Sequence, residues 1–169
     1  MKEHKKKAPK SVKGAVITLS DSKYKDFQKN KNNDLSGNLI KNALKENNKL
    51  VTYSIIPDEV DLLLSTINDI IEDYDVDVIL TTGGTGIGPR DITIETLKNI
   101  FEKELNGFGE IFRYESYKEL GTGAILSRAT AGIYKGKLIV SMPGSPNAVN
   151  LGLKIISPEL GHIIKHLKE

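Results

Sequence analysis

The 169-residue sequence contains no cysteine, and this absence removes several kinds of chemistry. Without cysteine there is no disulfide, no cysteine-ligated zinc site and no thiol nucleophile. No apolar run approaches the roughly 20 residues that a membrane-spanning helix needs. The first thirteen residues are almost wholly polar and lack the apolar segment of a signal peptide. We therefore expect a cytoplasmic protein without a membrane partner.

Positive charge is concentrated at the N-terminus. Residues 1–13 hold six lysines and one glutamate, whereas the whole chain has a net charge of only +2. The remaining residues are thus slightly acidic, which argues against an extended nucleic-acid-binding surface. A short lysine-rich arm is typical of a solvated chain end, although contact with RNA or anionic lipid stays open for it. We predict a basic flexible tail over residues 1–13 and one domain over residues 14–169.

Short apolar runs predict the strands. Gly14–Ser20, Val51–Ile56 and Val76–Thr82 are typical of buried parallel strands. Later in the chain, Thr130–Tyr134 and Lys137–Met142 flank a Lys-Gly turn and predict a strand pair. Because helical patterns separate most of these strands, the sequence predicts an α/β fold with a mostly parallel sheet and an antiparallel edge from the late pair.

Helical spacing of apolar residues fills the intervals between strands. The clearest amphipathic pattern runs from Val60 to Ile71, and another helix covers Phe108–Leu120. Asp34 and Thr93 are candidate caps at the starts of two further helices. By contrast, Ser22–Asn33 is rich in lysine and asparagine, and we predict a mobile loop there.

Three polar, glycine-containing loops follow predicted strands. The first runs from Ser20–Asp21 to Asp34–Gly37, the second is Gly83–Asp91, and the third is Met142–Asn147. If the sheet is parallel, all three open onto the same edge, where ligands of such folds bind.

The second loop predicts an anion site. Successive glycines allow backbone N–H groups to line a concave surface, and the N-terminus of the following helix favours negative charge. The loop matches neither the GxxxxGK[ST] nor the GxGxxG nucleotide motif, so those two cofactor folds lose support. A tight structural turn is the alternative interpretation.

Two aspartates stand beside these loops. Asp58 follows the strand that ends before Pro57, and Asp91 closes the glycine loop. Convergent carboxylates of this kind suit Mg²⁺ that also holds substrate phosphates. Spacing alone favours the alternative, in which each aspartate caps the helix that follows it. Capping is also the favoured role for Ser145, which precedes a proline in the first helical position.

Other polar residues have weaker functional interpretations. His162 and His166 are four residues apart, a spacing that can hold a metal, but no third ligand lies nearby in the sequence. We interpret them as cationic residues near a helix C-terminus. The only arginines are Arg90, Arg113 and Arg128; each could bind a phosphate or form an ion pair.

Four motifs in order resemble the molybdopterin adenylyltransferase family, and the resemblance covers about residues 14–165. The motifs are DLSG (Asp34–Gly37), PDE (Pro57–Glu59), TTGGTGIGPRD (Thr81–Asp91) and SMPGSPNAV (Ser141–Val149). The segment Gly107–Ile133 is similar to the subgroup called MoaB. Any one motif would be weak, but the ordered set is specific.

The resemblance implies a three-layer α/β/α sandwich that assembles as a homo-oligomer, a trimer or a hexamer. Members transfer AMP from ATP, with Mg²⁺, to the terminal phosphate of molybdopterin and release pyrophosphate. A downstream metal-insertion protein then adds molybdate or tungstate. The resemblance also leaves a non-catalytic molybdopterin carrier or scaffold as an alternative. A related CinA-like nucleotide pyrophosphatase is a further alternative, although it typically lacks the GSPNAV segment.

The resemblance also implies roles for individual residues. Asp58 and Asp91 match the family's functional aspartates and would be the catalytic residues and the Mg²⁺ ligands. The implied positions for substrate and phosphate binding are Ser20, Asp21, Ser36, Gly83, Gly84, Thr85, Gly86, Gly144, Ser145, Pro146 and Asn147.

Overall fold

A computed structural model describes residue 9 and residues 11–169, which form a six-stranded sheet with helices on both faces. The strands are β1 (Lys13–Leu19), β2 (Lys49–Ile56), β3 (Val78–Thr82), β4 (Lys103–Glu104), β5 (Thr130–Tyr134) and β6 (Lys137–Met142). The helices are α1 (Asp21–Gln28), α2 (Leu35–Asn47), α3 (Val60–Asp73), α4 (Thr93–Ile100), α5 (Asn106–Leu120), α6 (Pro146–Ile156) and α7 (Leu160–Lys168). Short 3₁₀ helices cover Gly121–Leu126 and Ser157–Glu159.

The sheet has the strand order β2-β1-β3-β6-β5-β4. The first four strands in this order are mutually parallel, whereas β5 pairs antiparallel with β6 and with β4. Lys135 and Gly136, between β5 and β6, have φ of 48° and 69°, the left-handed backbone that a two-residue hairpin turn requires. The predicted α/β fold with an antiparallel edge is therefore confirmed.

Each face of the sheet has its own apolar core. On β1, Val16 packs on one face with α2, α5, α6 and α7. Its neighbours Ala15 and Ile17 pack on the other face with α3 and α4. Burying one leucine or isoleucine side chain contributes about 1.5–3 kcal/mol, so a strand that is apolar on both faces favours helices on both. The three layers follow from this pattern.

The predicted loop over Ser22–Asn33 is wrong in its first half, because α1 occupies that segment. The Ser20 hydroxyl accepts the N–H of Lys23 at 3.3 Å and caps the helix. Asp21 in the first turn interacts favourably with the helix dipole. None of the residues of α1 is buried, so the helix lacks the apolar stripe by which a sequence reveals a helix.

The two predicted caps have different outcomes. Asp34 caps α2, because its Oδ1 accepts the N–H of Gly37 at 3.0 Å. Thr93 is instead the first residue of α4, after Ile92. Its hydroxyl donates to the carbonyl of Gly83 at 2.9 Å, and its N–H donates to the carbonyl of Gly84 at 2.9 Å. The start of α4 is thus tied back to the glycine loop.

The predicted tail over residues 1–13 lies largely outside the described residues. At its end, Val12 is buried and donates its N–H to Asn48 Oδ1 at 2.9 Å, and Lys13 begins β1. Among the helices that the structure describes, none combines the length and apolarity needed to cross a membrane.

Candidate functional site

The carboxyl ends of β2, β1, β3 and β6 surround a cavity of about 350 Å³. Its walls are mostly polar side chains and glycine backbone, as expected where loops rather than core residues form a pocket. The lining residues are Thr18, Leu19, Ser20, Lys23, Asp58, Thr82, Gly83, Gly84, Thr85, Gly86, Asp91 and Gly144. The structure thus brings together residues from all three polar loops of the sequence, together with the aspartate after β2.

Two glycines let the second loop approach its neighbours closely. Gly83 and Gly84 have φ of 94° and 63°, in the left-handed region that favours glycine. A Cβ atom on Gly83 would lie 2.2 Å from the carbonyl oxygen of Leu19. A Cβ atom on Gly84 would lie 2.7 Å from Asp58 Oδ1. Any larger residue would push the loop away from the strand ends and from the aspartate.

Asp58 faces the cavity instead of capping α3. The residue before α3 is Glu59, and no side chain caps that helix. Asp58 Oδ2 accepts the N–H of Asp21 at 3.1 Å, and Asp21 Oδ1 accepts the N–H of Asp58 at 3.1 Å. The other oxygen, Asp58 Oδ1, is buried and has no hydrogen-bond partner. An unpaired buried carboxylate oxygen is costly, so this atom is suited to a cation or a ligand donor.

Asp91 folds over the glycine loop and does not cap α4 either. Asp91 Oδ2 accepts the N–H of Gly88 at 2.9 Å, and no side chain caps α4. A Cβ atom on Gly86 would lie 2.5 Å from the same carboxylate oxygen. The capping interpretation, which spacing alone favoured for Asp58 and Asp91, is therefore wrong for both.

The carboxylates form a locally acidic environment. Burial raises the pKa of Asp58, and the carboxylates of Asp21 and Asp91 raise it further. Within the described part of the chain, no cluster of three histidine, aspartate or glutamate side chains is arranged to hold a metal alone. Mg²⁺ commonly uses one or two carboxylates and takes its remaining oxygens from water and substrate phosphates. Asp58 and Asp91, which line the same cavity, supply the number of carboxylates that such an ion uses.

Arg90 and Asp21 form a bidentate ion pair at the edge of the site. Arg90 donates from Nε and a terminal nitrogen to the two oxygens of Asp21, at 3.0 and 2.9 Å. The guanidinium holds the pKa of Asp21 below its usual range. The sequence allowed two roles for Arg90, binding a phosphate or forming an ion pair, and the structure shows the ion pair. The contact joins the end of the glycine loop to the start of α1.

Several predicted site residues lie outside the cavity. The buried Ser36 hydroxyl donates to the carbonyl of Gly144 at 2.7 Å and so braces the third loop. The Ser145 hydroxyl accepts the N–H of Ala148 at 3.2 Å and caps α6, with Pro146 in its first turn. A separate groove of about 330 Å³ is lined by Phe112, Ser116, Glu119, Leu120, Gly123, Leu126, Ser127, Pro143, Ser145, Asn147, Ala148 and Leu151.

The remaining sequence candidates lie elsewhere. His162 and His166 face each other with 3.0 Å between their Nε2 atoms, and each also lies beside a glutamate. Arg128 pairs with Glu95 on α4. These contacts agree with structural roles on the surface.

Sequence reasoning missed Lys23 as a site residue. This side chain lies on α1 and lines the cavity, with its Nζ 3.5 Å from Oδ1 of the buried Asp34. The prediction of a loop gave Lys23 no fixed position. The available signal was Ser20, three residues earlier, which is a favourable N-cap residue.

The fold and the site define an α/β domain with a glycine-lined, carboxylate-bearing cavity at the carboxyl ends of its parallel strands. A family model described as a probable molybdopterin binding domain matches residues 15–162. The chain therefore belongs to this family of molybdenum cofactor biosynthesis proteins, and the resemblance inferred from its motifs is confirmed.

Full-length relatives agree with this assignment. The chain is 53% identical over 161 residues to the "probable molybdopterin adenylyltransferase" of Methanocaldococcus jannaschii, covering 95% of this chain and 96% of that protein. It is 47% identical over 173 residues to the "molybdopterin adenylyltransferase" of Pyrococcus furiosus, covering 100% and 99%. The crystal structure of the tungsten cofactor synthesizing protein MoaB from Pyrococcus furiosus has a TM-score of 0.86 at 46% identity, covering 96% of this chain and 100% of that one.

Proposed function

We propose that this protein is a molybdopterin adenylyltransferase of molybdenum or tungsten cofactor biosynthesis. The observation that carries the proposal is the cavity in which Asp58 and Asp91 lie beside the glycine loop, with Asp58 Oδ1 buried and unpaired. Two relatives that cover nearly the whole chain bear the adenylyltransferase name.

In the proposed reaction, a phosphate oxygen of molybdopterin attacks the α-phosphorus of ATP. The bond from that phosphorus to the bridging oxygen breaks, pyrophosphate leaves with the electron pair, and a new P–O–P linkage joins AMP to the pterin. A phosphate is already a competent nucleophile, so positioning and charge neutralisation supply most of the rate. This is compatible with a site in which the described lining residues include no histidine.

The residues of the chain divide these tasks. Asp58 and Asp91 would hold Mg²⁺, which neutralises phosphate charge when bound. The backbone of Gly83–Gly86 allows phosphate groups to approach the strand ends closely. The Asp21–Arg90 pair and the Asp21–Asp58 hydrogen bonds keep these elements together.

The proposal is tested by mixing purified protein with molybdopterin, ATP and Mg²⁺ and measuring pyrophosphate. We expect pyrophosphate and adenylylated pterin in equal amounts. Both should disappear when the pterin is omitted or when a chelator removes Mg²⁺. Tight pterin binding without any pyrophosphate would contradict the enzyme proposal and favour the non-catalytic carrier.

We further propose that the protein acts as a homo-oligomer, a trimer or a hexamer, and passes its product to a separate metal-insertion protein. Support for self-association comes from an exposed apolar face on α5 and the 3₁₀ helix after it, next to the groove that contains Ser145. We name this the α5 face; its exposed apolar residues are Ile111, Tyr114, Tyr117, Leu120, Ile125 and Leu126.

We expect Leu126→Glu to shift the protein from an oligomer to a monomer, because the change places a charge in the α5 face. Leu126 is 60% exposed, so the isolated chain should tolerate the glutamate. Light scattering on eluted protein measures the mass. Tyr74→Glu, at an exposed site after α3, is the matched control. A Leu126→Glu variant of unchanged mass would contradict the assignment of this face.

A further inference from the structure

Lys23 is the only positively charged side chain among the described residues that line the cavity. The other ionisable side chains of that lining are the carboxylates of Asp58 and Asp91. A site for two phosphorylated substrates has to offset their repulsion, and a cationic side chain in the wall contributes to this. We propose that Lys23 binds a phosphate group of the substrate. The inference rests on the proposed function for the kind of ligand.

The helix start fixes the position of Lys23. Ser20 caps α1 through the N–H of Lys23 itself, at 3.3 Å. The residue after Ser20 is Asp21, and its N–H donates to Asp58 Oδ2 at 3.1 Å. The backbone of Lys23 is therefore held relative to the carboxylates on the other side of the cavity. The Lys23 side chain is 26% exposed, so most of it is withdrawn from solvent.

The ammonium of Lys23 lies near the carboxylate of Asp34. The distance from Nζ to Asp34 Oδ1 is 3.5 Å, longer than the roughly 2.7–2.9 Å of a strong charge-assisted hydrogen bond. An ammonium has three donors, and this one long contact does not use them well. A phosphate in the cavity offers several acceptor oxygens and a higher charge. The ammonium therefore gains by turning from Asp34 to a phosphate.

Asp34 does not depend on Lys23 to be hydrogen-bonded. Its side chain is 0% exposed, and it accepts the N–H of Gly37 at 3.0 Å and the hydroxyl of Tyr53 at 2.7 Å. Burial works to raise the pKa of Asp34, but hydrogen bonds from neutral groups and the nearby ammonium hold it below the ordinary value. Because the neutral donors stay in place, Lys23 can leave without stranding a bare buried carboxylate.

A structural role for Lys23 makes a different prediction. If the side chain only neutralises Asp34, removing its charge lowers stability and leaves phosphate affinity unchanged. If Lys23 binds phosphate, removing the charge lowers affinity for a phosphorylated ligand. Two ligands present such a group, the monophosphate of molybdopterin and the triphosphate of ATP, so each is measured separately.

The test compares Lys23→Met, Lys23→Arg and the control Lys29→Met. Lys29 is exposed at the C-terminus of α1, so its replacement makes the same charge change outside the cavity. Calorimetric titration with molybdopterin, and separately with α,β-methylene-ATP and Mg²⁺, gives the affinities without turnover. We expect Lys23→Met to lower the affinity for at least one of these ligands by about tenfold to a hundredfold, the usual effect of losing a hydrogen bond to a charged group.

The two other variants make the result specific. Lys29→Met should stay within about twofold of the wild type, and Lys23→Arg should recover part of the loss because it keeps a charged donor. The ligand that loses affinity identifies which phosphate Lys23 binds.

Unchanged affinity for both ligands in folded Lys23→Met would overturn the inference, even if its melting temperature fell. A wild type that binds both ligands but releases no pyrophosphate would remove the proposed reaction and leave the Lys23 assignment intact. A wild type that binds neither ligand would overturn both proposals.

Discussion

Asp91→Asn is expected to lower pyrophosphate release by about a hundredfold to a thousandfold while the protein stays folded. In the wild type, Asp91 Oδ2 accepts the N–H of Gly88 at 2.9 Å. Asparagine has the same shape as aspartate, and its amide oxygen can accept the same N–H. The variant therefore keeps the form of the glycine loop and loses the negative charge. Without that charge, the affinity for Mg²⁺ falls and the phosphates are poorly neutralised. Steady-state release of pyrophosphate at increasing Mg²⁺ measures the effect.

Asp73→Asn serves as the control for that variant. Asp73 is exposed at the end of α3, so the same chemical change there should leave release unaltered. Thermal unfolding should give similar midpoints for the two variants and the wild type. Full activity in folded Asp91→Asn at every Mg²⁺ concentration would exclude Asp91 from the catalytic machinery.

Gly84→Ala is expected to lower both activity and stability. The φ of 63° at Gly84 costs an alanine about 1–2 kcal/mol. The new Cβ atom would also lie 2.4 Å from Thr93 Oγ1 and 2.7 Å from Asp58 Oδ1. The loop has to move away from both, which displaces Asp58 from the glycine backbone. We expect activity to fall at least about a hundredfold, because a displacement of one ångström can have that effect.

Gly136→Ala is the control that separates the effect of backbone strain from the effect of the close contacts at Gly84. Gly136 has φ of 69°, and a Cβ atom there would meet nothing within 4 Å. Alanine at this turn carries the same backbone strain far from the cavity, so it should lower the free energy of unfolding and preserve activity. Urea unfolding and pyrophosphate release are measured for both variants. Equal activities in the two variants would show that the contacts of Gly84 are unimportant.

Much of the fold could be predicted from local patterns. The apolar run at Val76–Thr82 indicated a buried strand because its residues pack on both faces of the sheet, and β3 occupies most of that run. The Lys135–Gly136 turn indicated a hairpin because glycine readily adopts the positive φ that a tight turn requires. Parallel pairing then brings the loops after β1, β3 and β6 to one edge, so the approximate place of the cavity follows from topology.

Other features depend on tertiary contacts that the sequence does not display. The exposed helix α1 has no apolar stripe, so the sequence pattern could not predict the position of Lys23. The partner of Asp58 is Asp21, 37 residues away, whereas spacing considers only the adjacent helix and favours a cap. Likewise, Ser36 and Gly144 meet across 108 residues, and no local pattern predicts that hydrogen bond.

The strand order β2-β1-β3-β6 has a consequence for how binding competence develops during folding. The cavity takes walls from the ends of four strands, and the last of these in the chain, β6, is inserted beside β3 and delivers Gly144. A partly assembled sheet therefore has an incomplete cavity. Ligand binding is then coupled to the cooperative folding of the whole domain. A bound ligand therefore raises the free energy of global unfolding, and its effect is not confined to one local segment.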